Sequence, residues 1–262
     1  MVHPGLVRDG LTLALGVLTG ALSGAFGVGG AVLSTPGIRL LGASALVAVG
    51  TTLPSIVPSA AAGTARYATG GLVDWATVAT TAPAGVAGAV AGSLASHAVP
   101  GHGHWLMVVT AGLLGLTAAR LGRPGDRDQR MAAGAVAGHR FWLRSAVGAA
   151  AGLLSGLLGV GGGAILLPAF LEILRLPTKV AVATSLACVG ILALPGTVTH
   201  AFLGDIDWRF ALLLAVAVVP GARLGAALAI RAEDRRLRLA VALVLGVLAV
   251  GYGVGELRAA LR

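Results

Sequence analysis

An apolar segment broken by glycines occurs twice in this 262-residue chain. Leu22-Ser23-Gly24-Ala25-Phe26-Gly27-Val28-Gly29-Gly30 returns 132 residues on as Leu154-Ser155-Gly156-Leu157-Leu158-Gly159-Val160-Gly161-Gly162, and Pro36 matches Pro168 at the same offset. Glycine weakens a helix and lets backbone or ligand approach closely. Broken apolar segments at corresponding places in two halves point to a transporter's binding site.

The surroundings of the motif set the class. Hydrophobic residues make up 56% of the chain and charged residues 11%, against about 25% charged in soluble domains. Apolar segments lie at 11–35, 42–66, 76–97, 104–120, 143–172, 180–203, 209–231 and 237–256, and a span needs about 20 residues. The expected fold is all-α. It is a polytopic membrane protein of about eight transmembrane helices, in two homologous four-segment repeats with glycine-broken helices. The first repeat is 1–120, a polar Arg-rich linker follows at 121–142, and the second repeat is 143–262. Four crossings per repeat would stand both halves the same way up, an odd number would invert them, and a re-entrant pair would change the parity. Residues 1–10 carry Pro, Gly, Arg and Asp and do not read as a cleavable signal peptide.

On a soluble chain the net charge of +9 would suggest a nucleic-acid partner. Here the arginines sit in gaps between apolar runs and report topology instead, so the expected surroundings are a lipid bilayer and no nucleic acid is expected. Arg120, Arg123, Arg127, Arg130, Arg140 and Arg144 place the linker in the cytoplasm, and with eight spans both termini as well. Arg231, Arg235, Arg236 and Arg238 then fall on the wrong side. The single Cys188 excludes an internal disulfide and a Cys-cluster metal site. The 41 glycines fit a general composition bias and are not read as packing signals.

The repeat extends beyond its first block. Thr51-Thr52 aligns with Thr184-Ser185, Gly63-Thr64 with Gly196-Thr197, Tyr67 with His200, and Gly71–Trp75 with Gly204–Trp208; Pro83–Gly88 resembles Pro220–Gly225. In each Asp-Trp pair, Asp suits a helix cap and Trp a membrane interface.

The glycine segments, Gly27, Val28, Gly29 and Gly30 with Gly159, Val160, Gly161, Gly162 and Gly163, open backbone N–H groups at the start of half-helices. Such N–H groups bind anions without a charged side chain; tight helix packing is the rival reading. The hydroxyls of Thr51, Thr52, Thr184 and Ser185 could converge with them on a small oxyanion, or simply bond the preceding helical turn. Arg223, beside Pro220-Gly221, could bind an anion's charge, or snorkel or pair with a carboxylate. His200 could relay protons, or sit at an interface. HExxH, GxSxG, Walker A and CxxC signatures are absent from the sequence, so no enzyme, cofactor or metal is expected.

Paired Gly-Val-Gly-Gly segments, each followed by Pro and then a Thr/Ser block, resemble the TauE/SafE family of sulfite and organosulfonate exporters over about residues 10–256. Leu154–Gly163 is the most specific part; Ala31 stands where the second repeat has Gly163. The resemblance implies a multi-pass carrier in the plasma membrane (the bacterial inner membrane), whose central site is lined by the glycine segments and hydroxyl blocks. The expected function is a secondary membrane transporter, an exporter, of small anions such as sulfite, organosulfonates or related organic acids, with proton coupling compatible. Alternating access would rock one repeat against the other. A passive anion channel and a non-transporting membrane scaffold are the alternatives. The particular anion, the direction and energy coupling of transport, the membrane orientation, the choice between parallel and inverted repeats and the oligomeric state stay open.

Overall fold

A computed structural model describes residues 5–43, 45–96, 112, 115–116, 118–119, 137–158 and 162–260. Among these the chain is helical and without strands. The helices are α1 (Leu6–Phe26), α2 (Ala31–Leu40), α3 (Ala45–Ala68), α4 (Trp75–Ser96), α5 (Ala137–Leu158), α6 (Gly163–Glu172), α7 (Thr178–Leu203), α8 (Trp208–Arg231) and α9 (Asp234–Ala260). Of the expected segment 104–120, the described residues 112, 115–116 and 118–119 are helical. The linker through residue 136 and Gly159, Val160 and Gly161 lie outside the described residues.

By length and composition, α1 from Arg8, α7 and α8 are long and apolar enough to cross a membrane. The 24-residue α3 has the length but carries Thr51, Thr52, Ser55, Ser59 and Thr64, all buried. Its polar face is turned to protein, which removes the need for an apolar composition. Leu212, Val216, Leu224 and Leu228 of α8 and Leu243, Val247 and Val250 of α9 are more than half exposed. An exposed apolar area of this extent fits contact with lipid, not water.

The segments 11–35 and 143–172 each contain two helices. α1 ends at Gly27 (φ +64°), and Gly29 follows at φ +81°; glycine takes this left-handed conformation without a steric cost. α2 then runs back along α1. A Cβ placed on Gly30 would lie 2.6 Å from the Thr19 methyl, and one on Gly37 would lie 2.6 Å from Leu15. In the second half Gly162, next to the start of α6, returns to Ser155 of α5.

Corresponding helices of the two halves run in opposite directions. Along α3 and α7, Gly50 faces Asp205, Ala60 faces Gly190, and Gly63 faces Leu186. One end of the bundle gathers the Arg144–Asp74 pair (3.6 Å), the Lys179–Asp234 pair (2.9 Å) and a bond from the Asp74 N–H to Thr184 Oγ1 (3.0 Å). The other end holds Asp9–Arg209 (2.6 Å) and a bond from the Asp207 N–H to Thr51 Oγ1 (2.9 Å). Of the two arrangements that the sequence leaves open, this is the inverted one. The reason is the fold-back of α2 on α1 and of α6 on α5, which replaces a crossing by a hairpin in each half. The arginines after α8 thereby share an end with the start of α5, and their conflict with the linker arginines disappears.

Two parallel helix pairs, α1 with α8 and α4 with α5, pack through glycines spaced four apart. A Cβ on Gly20 would strike the Val218 carbonyl, on Gly24 that of Ala222, on Gly221 that of Val17, and on Gly225 that of Ala21. The second crossing matches it. Gly88 lies on the Ala149 carbonyl, Gly92 on Leu153, Gly148 on Thr81, and Gly152 on Gly85. Gly20 and Gly152 thus occupy equivalent places, as do Gly221 and Gly88. That pairing corrects the sequence match of Pro83–Gly88 with Pro220–Gly225 by four residues, and makes outward-facing Val90, not Val86, the counterpart of Arg223. It also corrects the dismissal of the glycines as composition bias. Lipid is as apolar as a leucine side chain, so helices in it associate by close van der Waals approach, which small residues allow.

The crossing predicts that Gly152→Ala lowers stability by about 1–3 kcal/mol through overpacking. Gly10→Ala, whose Cβ meets nothing within 4 Å, should be neutral or stabilising by up to about 1 kcal/mol. Thermal unfolding of the detergent-solubilised protein checks both.

Candidate functional site

The first glycine turn meets the start of α6. A Cβ on Gly163, the first residue of α6, would collide with the Val28 carbonyl of the α1–α2 turn. The first turn is held from two sides. Ser185 Oγ of α7 donates to the Gly27 carbonyl at 2.6 Å, and the buried Tyr67 hydroxyl of α3 donates to the Gly24 carbonyl at 2.8 Å. The second turn is tied by its own limb, where the Gly162 N–H donates to Ser155 Oγ at 2.8 Å.

The expected hydroxyl block is fully buried but does not converge on these turns: only Ser185 reaches one, and the bonds of Thr51, Thr52 and Thr184 run to other backbone and side-chain groups. Thr51 accepts from the Asp207 N–H, and Thr184 from the Asp74 N–H. Thr52 donates to the Val49 carbonyl at 3.0 Å, which spends its single proton, so Thr35 is the donor in the 3.1 Å Thr35–Thr52 contact. Each half therefore holds the turn before the other half's final helix of the shared core. Those turns end in working caps: Asp74 accepts from the Thr77 N–H (3.0 Å) and hydroxyl (2.6 Å), and Asp207 from the N–H groups of Arg209 and Phe210. Burial alone would raise the Asp74 carboxyl. Hydrogen bonds from Thr77, the Arg144 guanidinium and the Ala76 N–H outweigh it and hold the group below its ordinary range. Asp74 is thus ionised at neutral pH, and its pairing with Arg144 is ionic.

Between α1, the first turn, α2 and α9 lies a cavity of about 50 Å³. Gly29, Gly30 and Val28 line it together with Thr19, Ser23 and the apolar side chains Leu22, Phe26, Leu33 and Val244. Thr19 and Ser23 are 1% and 2% exposed, and neither hydroxyl has a hydrogen-bond partner. The N–H groups of Gly29, Gly30, Ala31 and Val32 also find no acceptor among the described residues. Buried polar groups are almost always paired, so a concentration of free donors at the start of a helix suits a negatively charged guest. Arg223 is exposed on α8 and does not line this cavity. His200 pairs with Asp205 at 3.2 Å, at the far end of α7. Among the described residues no cluster of three or more His, Cys, Asp or Glu could hold a metal.

Sequence reasoning passed over Thr19 and gave Ser23 no role. A signal was available. The two lie four residues apart and so share one helix face, and Thr19 stands where the second copy has Ala151.

Replacing Thr51 or Thr184 by Val should strand a buried N–H, at a cost of about 1–3 kcal/mol each. The two losses should be alike in size, as their reciprocal geometry requires, when measured as shifts of the unfolding midpoint.

The sulfite exporter TauE/SafE family model matches residues 12–252. Two proteins of Xylella fastidiosa, strains 9a5c and Temecula1, each named "Probable membrane transporter protein", are 32% and 31% identical over 227 and 223 residues. Each alignment covers 84% of this chain and 85% of the relative. "Probable membrane transporter protein YunE" of Bacillus subtilis is 34% identical over 89 residues, 34% of this chain and only 33% of that protein's length. No solved structure matches the chain.

Proposed function

Since the chain belongs to the sulfite exporter TauE/SafE family of membrane transporters, we propose that it is a secondary transporter, working as an exporter, of small anions such as sulfite, organosulfonates or related organic acids. The observation that carries this reading is the cavity at the first glycine turn, where two buried hydroxyls and the opening N–H groups of α2 lack partners. In this reading two inverted repeats, 1–120 and 143–262, are joined by the linker 121–142. Gly27, Val28, Gly29 and Gly30 form the substrate turn, Gly163 abuts it at the start of α6, and Gly159, Val160, Gly161 and Gly162 are assigned to the same site. Ser185 holds the first turn, and Thr51, Thr52 and Thr184 hold the surrounding backbone.

The protein would sit in the bacterial inner membrane. Its Arg-rich end, with Arg144, Lys179, Arg231, Arg235 and Arg236, would face the cytoplasm, as the positive-inside rule requires. The start of α1 would then lie outside. The Arg144 end stays cytoplasmic, as expected from the linker arginines, and the start of α1 changes sides, because hairpins change the parity. A membrane-impermeant thiol reagent tests it: in intact cells Gly42→Cys should react, and Arg235→Cys only after the cells are opened. The reverse pattern would overturn the orientation.

Transport itself is tested with the purified protein in liposomes, offered labelled sulfite, sulfonates and short carboxylates. The expected result is saturable flux that falls at least tenfold in Gly29→Leu, with the variant still inserted and monodisperse. Flux proportional to concentration without saturation would indicate a passive channel. No flux for any of these anions would sink the transporter reading.

A further inference from the structure

The turns that follow α3 and α7 share a backbone and differ in side chains. Gly71 and Gly204 both take left-handed conformations, at φ +66° and +76°. The Leu72 N–H donates to the Tyr67 carbonyl at 3.2 Å, and the Asp205 N–H donates to the His200 carbonyl at 3.1 Å. In the first copy the Tyr67 hydroxyl reaches away to the Gly24 carbonyl, and Leu72 has no polar group to offer. In the second copy His200 Nδ1 lies 3.2 Å from Asp205 Oδ2, and the two side chains are 22% and 15% exposed. The first copy shows that this turn closes without such a pair. The joint replacement of Tyr by His and of Leu by Asp therefore adds something beyond the turn itself.

What it adds is a brace for a bond between the halves, at the end where α1 begins. The Asp205 carbonyl lies against Gly50 of α3, where a Cβ would come within 2.6 Å. Two residues on, the Asp207 N–H donates to Thr51. At the other end the equivalent bond runs from the Asp74 N–H to Thr184, and there Asp74 is paired with Arg144. Thr12, 132 residues earlier, stands in the place of Arg144, and its hydroxyl donates to the Arg8 carbonyl. One turn is thus braced by an arginine, which is always charged, and the other by a histidine.

Histidine is the side chain whose charge changes between about pH 5 and 8. Protonated, His200 forms an ion pair with Asp205; neutral, it keeps at most an ordinary hydrogen bond, roughly half as strong. The other charged groups at this end have their own tasks. Asp207 caps α8, Arg209 pairs with Asp9, and the Arg8 guanidinium lies over the Phe210 ring at 4.2 Å. α3, α4 and α6 bring no ionisable residue here, and α9 meets α7 through Asp234 and Lys179 at the other end. Among the described side chains His200 is the only histidine. We propose that the His200–Asp205 pair is a pH-controlled latch on the α7–α8 turn: protonation clamps the turn against Gly50 and Thr51 of α3, and loss of the proton frees it. In the transporter and orientation read above, the latch faces outward and closes that side of the protein in acid surroundings; that meaning rests on the transporter reading, and the test of the latch does not.

Ile206, between the pair and Asp207, is 8% exposed and reports opening of the turn. The detergent-solubilised full chain, with Cys188→Ala as background, carries either Ile206→Cys or Gly10→Cys. Gly10 is exposed at the same end, so its labelling rate cancels the pH dependence of the thiol reaction itself. A partly exposed ion pair shifts an equilibrium by up to about fivefold. The ratio of the Ile206→Cys to the Gly10→Cys labelling rate should therefore rise about three- to fivefold from pH 5.5 to pH 8. It should be flat in His200→Gln, which keeps a donor without the charge. It should also be flat in the double variant His200→Tyr, Asp205→Leu, which restores the residues of the first copy and so keeps the turn. A ratio that ignores pH with His200 and Asp205 in place overturns the latch. So does a pH dependence that survives both replacements, which would belong to other histidines such as His97, His102 or His104, outside the described residues. The expected labelling pattern without saturable flux of any anion in liposomes would keep the latch and sink the transporter reading. Saturable flux with a flat ratio would do the opposite.

Discussion

Backbone that leaves a helix inside an apolar layer has to find its hydrogen-bond partners within the protein. In this chain the partners come across the boundary between halves. Ser185 of the second half serves the Gly27 carbonyl of the first, Thr184 serves the Asp74 N–H, and Thr51 of the first half serves the Asp207 N–H of the second. Bonds within a half, Tyr67 to Gly24 and Gly162 to Ser155, are thus supplemented by bonds from the other half, and the two halves brace one another. The antiparallel run of α3 and α7 follows from the same need, since it brings the early turns of each helix to the opposite half's capping turn.

The glycine crossings add a mechanical consequence. α1 belongs to the first half and α8 to the second, and their backbones touch at Gly20, Gly24, Gly221 and Gly225. α4 and α5 are joined in the same way. Rocking one sequence repeat as a rigid body against the other would tear both crossings open. Close packing of this kind is not continuously deformable, so the moving units are better drawn as the mixed pairs α1–α8 and α4–α5, with α3 and α7 between them. The repeat in the sequence and the rigid bodies in the fold are then different partitions of the same chain.

What the sequence reveals here is what depends on neighbours along the chain. The Gly-Val-Gly-Gly break, the Asp caps at positions 74 and 207 and the approximate extent of each long helix are local properties, and each is where its residues suggest. The return of α2 along α1 is not local. Segment 11–35 is apolar throughout, and hydropathy records burial in lipid but not direction. The glycine contacts were hidden for another reason: among 41 glycines, spacing by four recurs by composition alone, and only the facing backbone distinguishes a crossing from an accident. The hydroxyls at Thr51 and Thr184 were recognisable as important, but whether they point to a ligand or to a backbone N–H depends on an element more than a hundred residues away.

The described residues of the two motif copies differ in what they leave unsatisfied. At the second turn Ser155 is engaged with Gly162, and Ala151 offers nothing further. At the first, Thr19 and Ser23 are buried with free hydroxyls, each a loss of about 1–3 kcal/mol if nothing ever meets it. Ser59, Thr64 and Thr81 carry the same cost elsewhere in the bundle, so the unpaired hydroxyls mark the first turn only together with the cavity beside it and the free N–H groups at the start of α2. Duplication thus produced one turn whose polar groups brace the fold and one whose polar groups stand ready, and the lack of symmetry between them locates the chemistry within an otherwise symmetric frame.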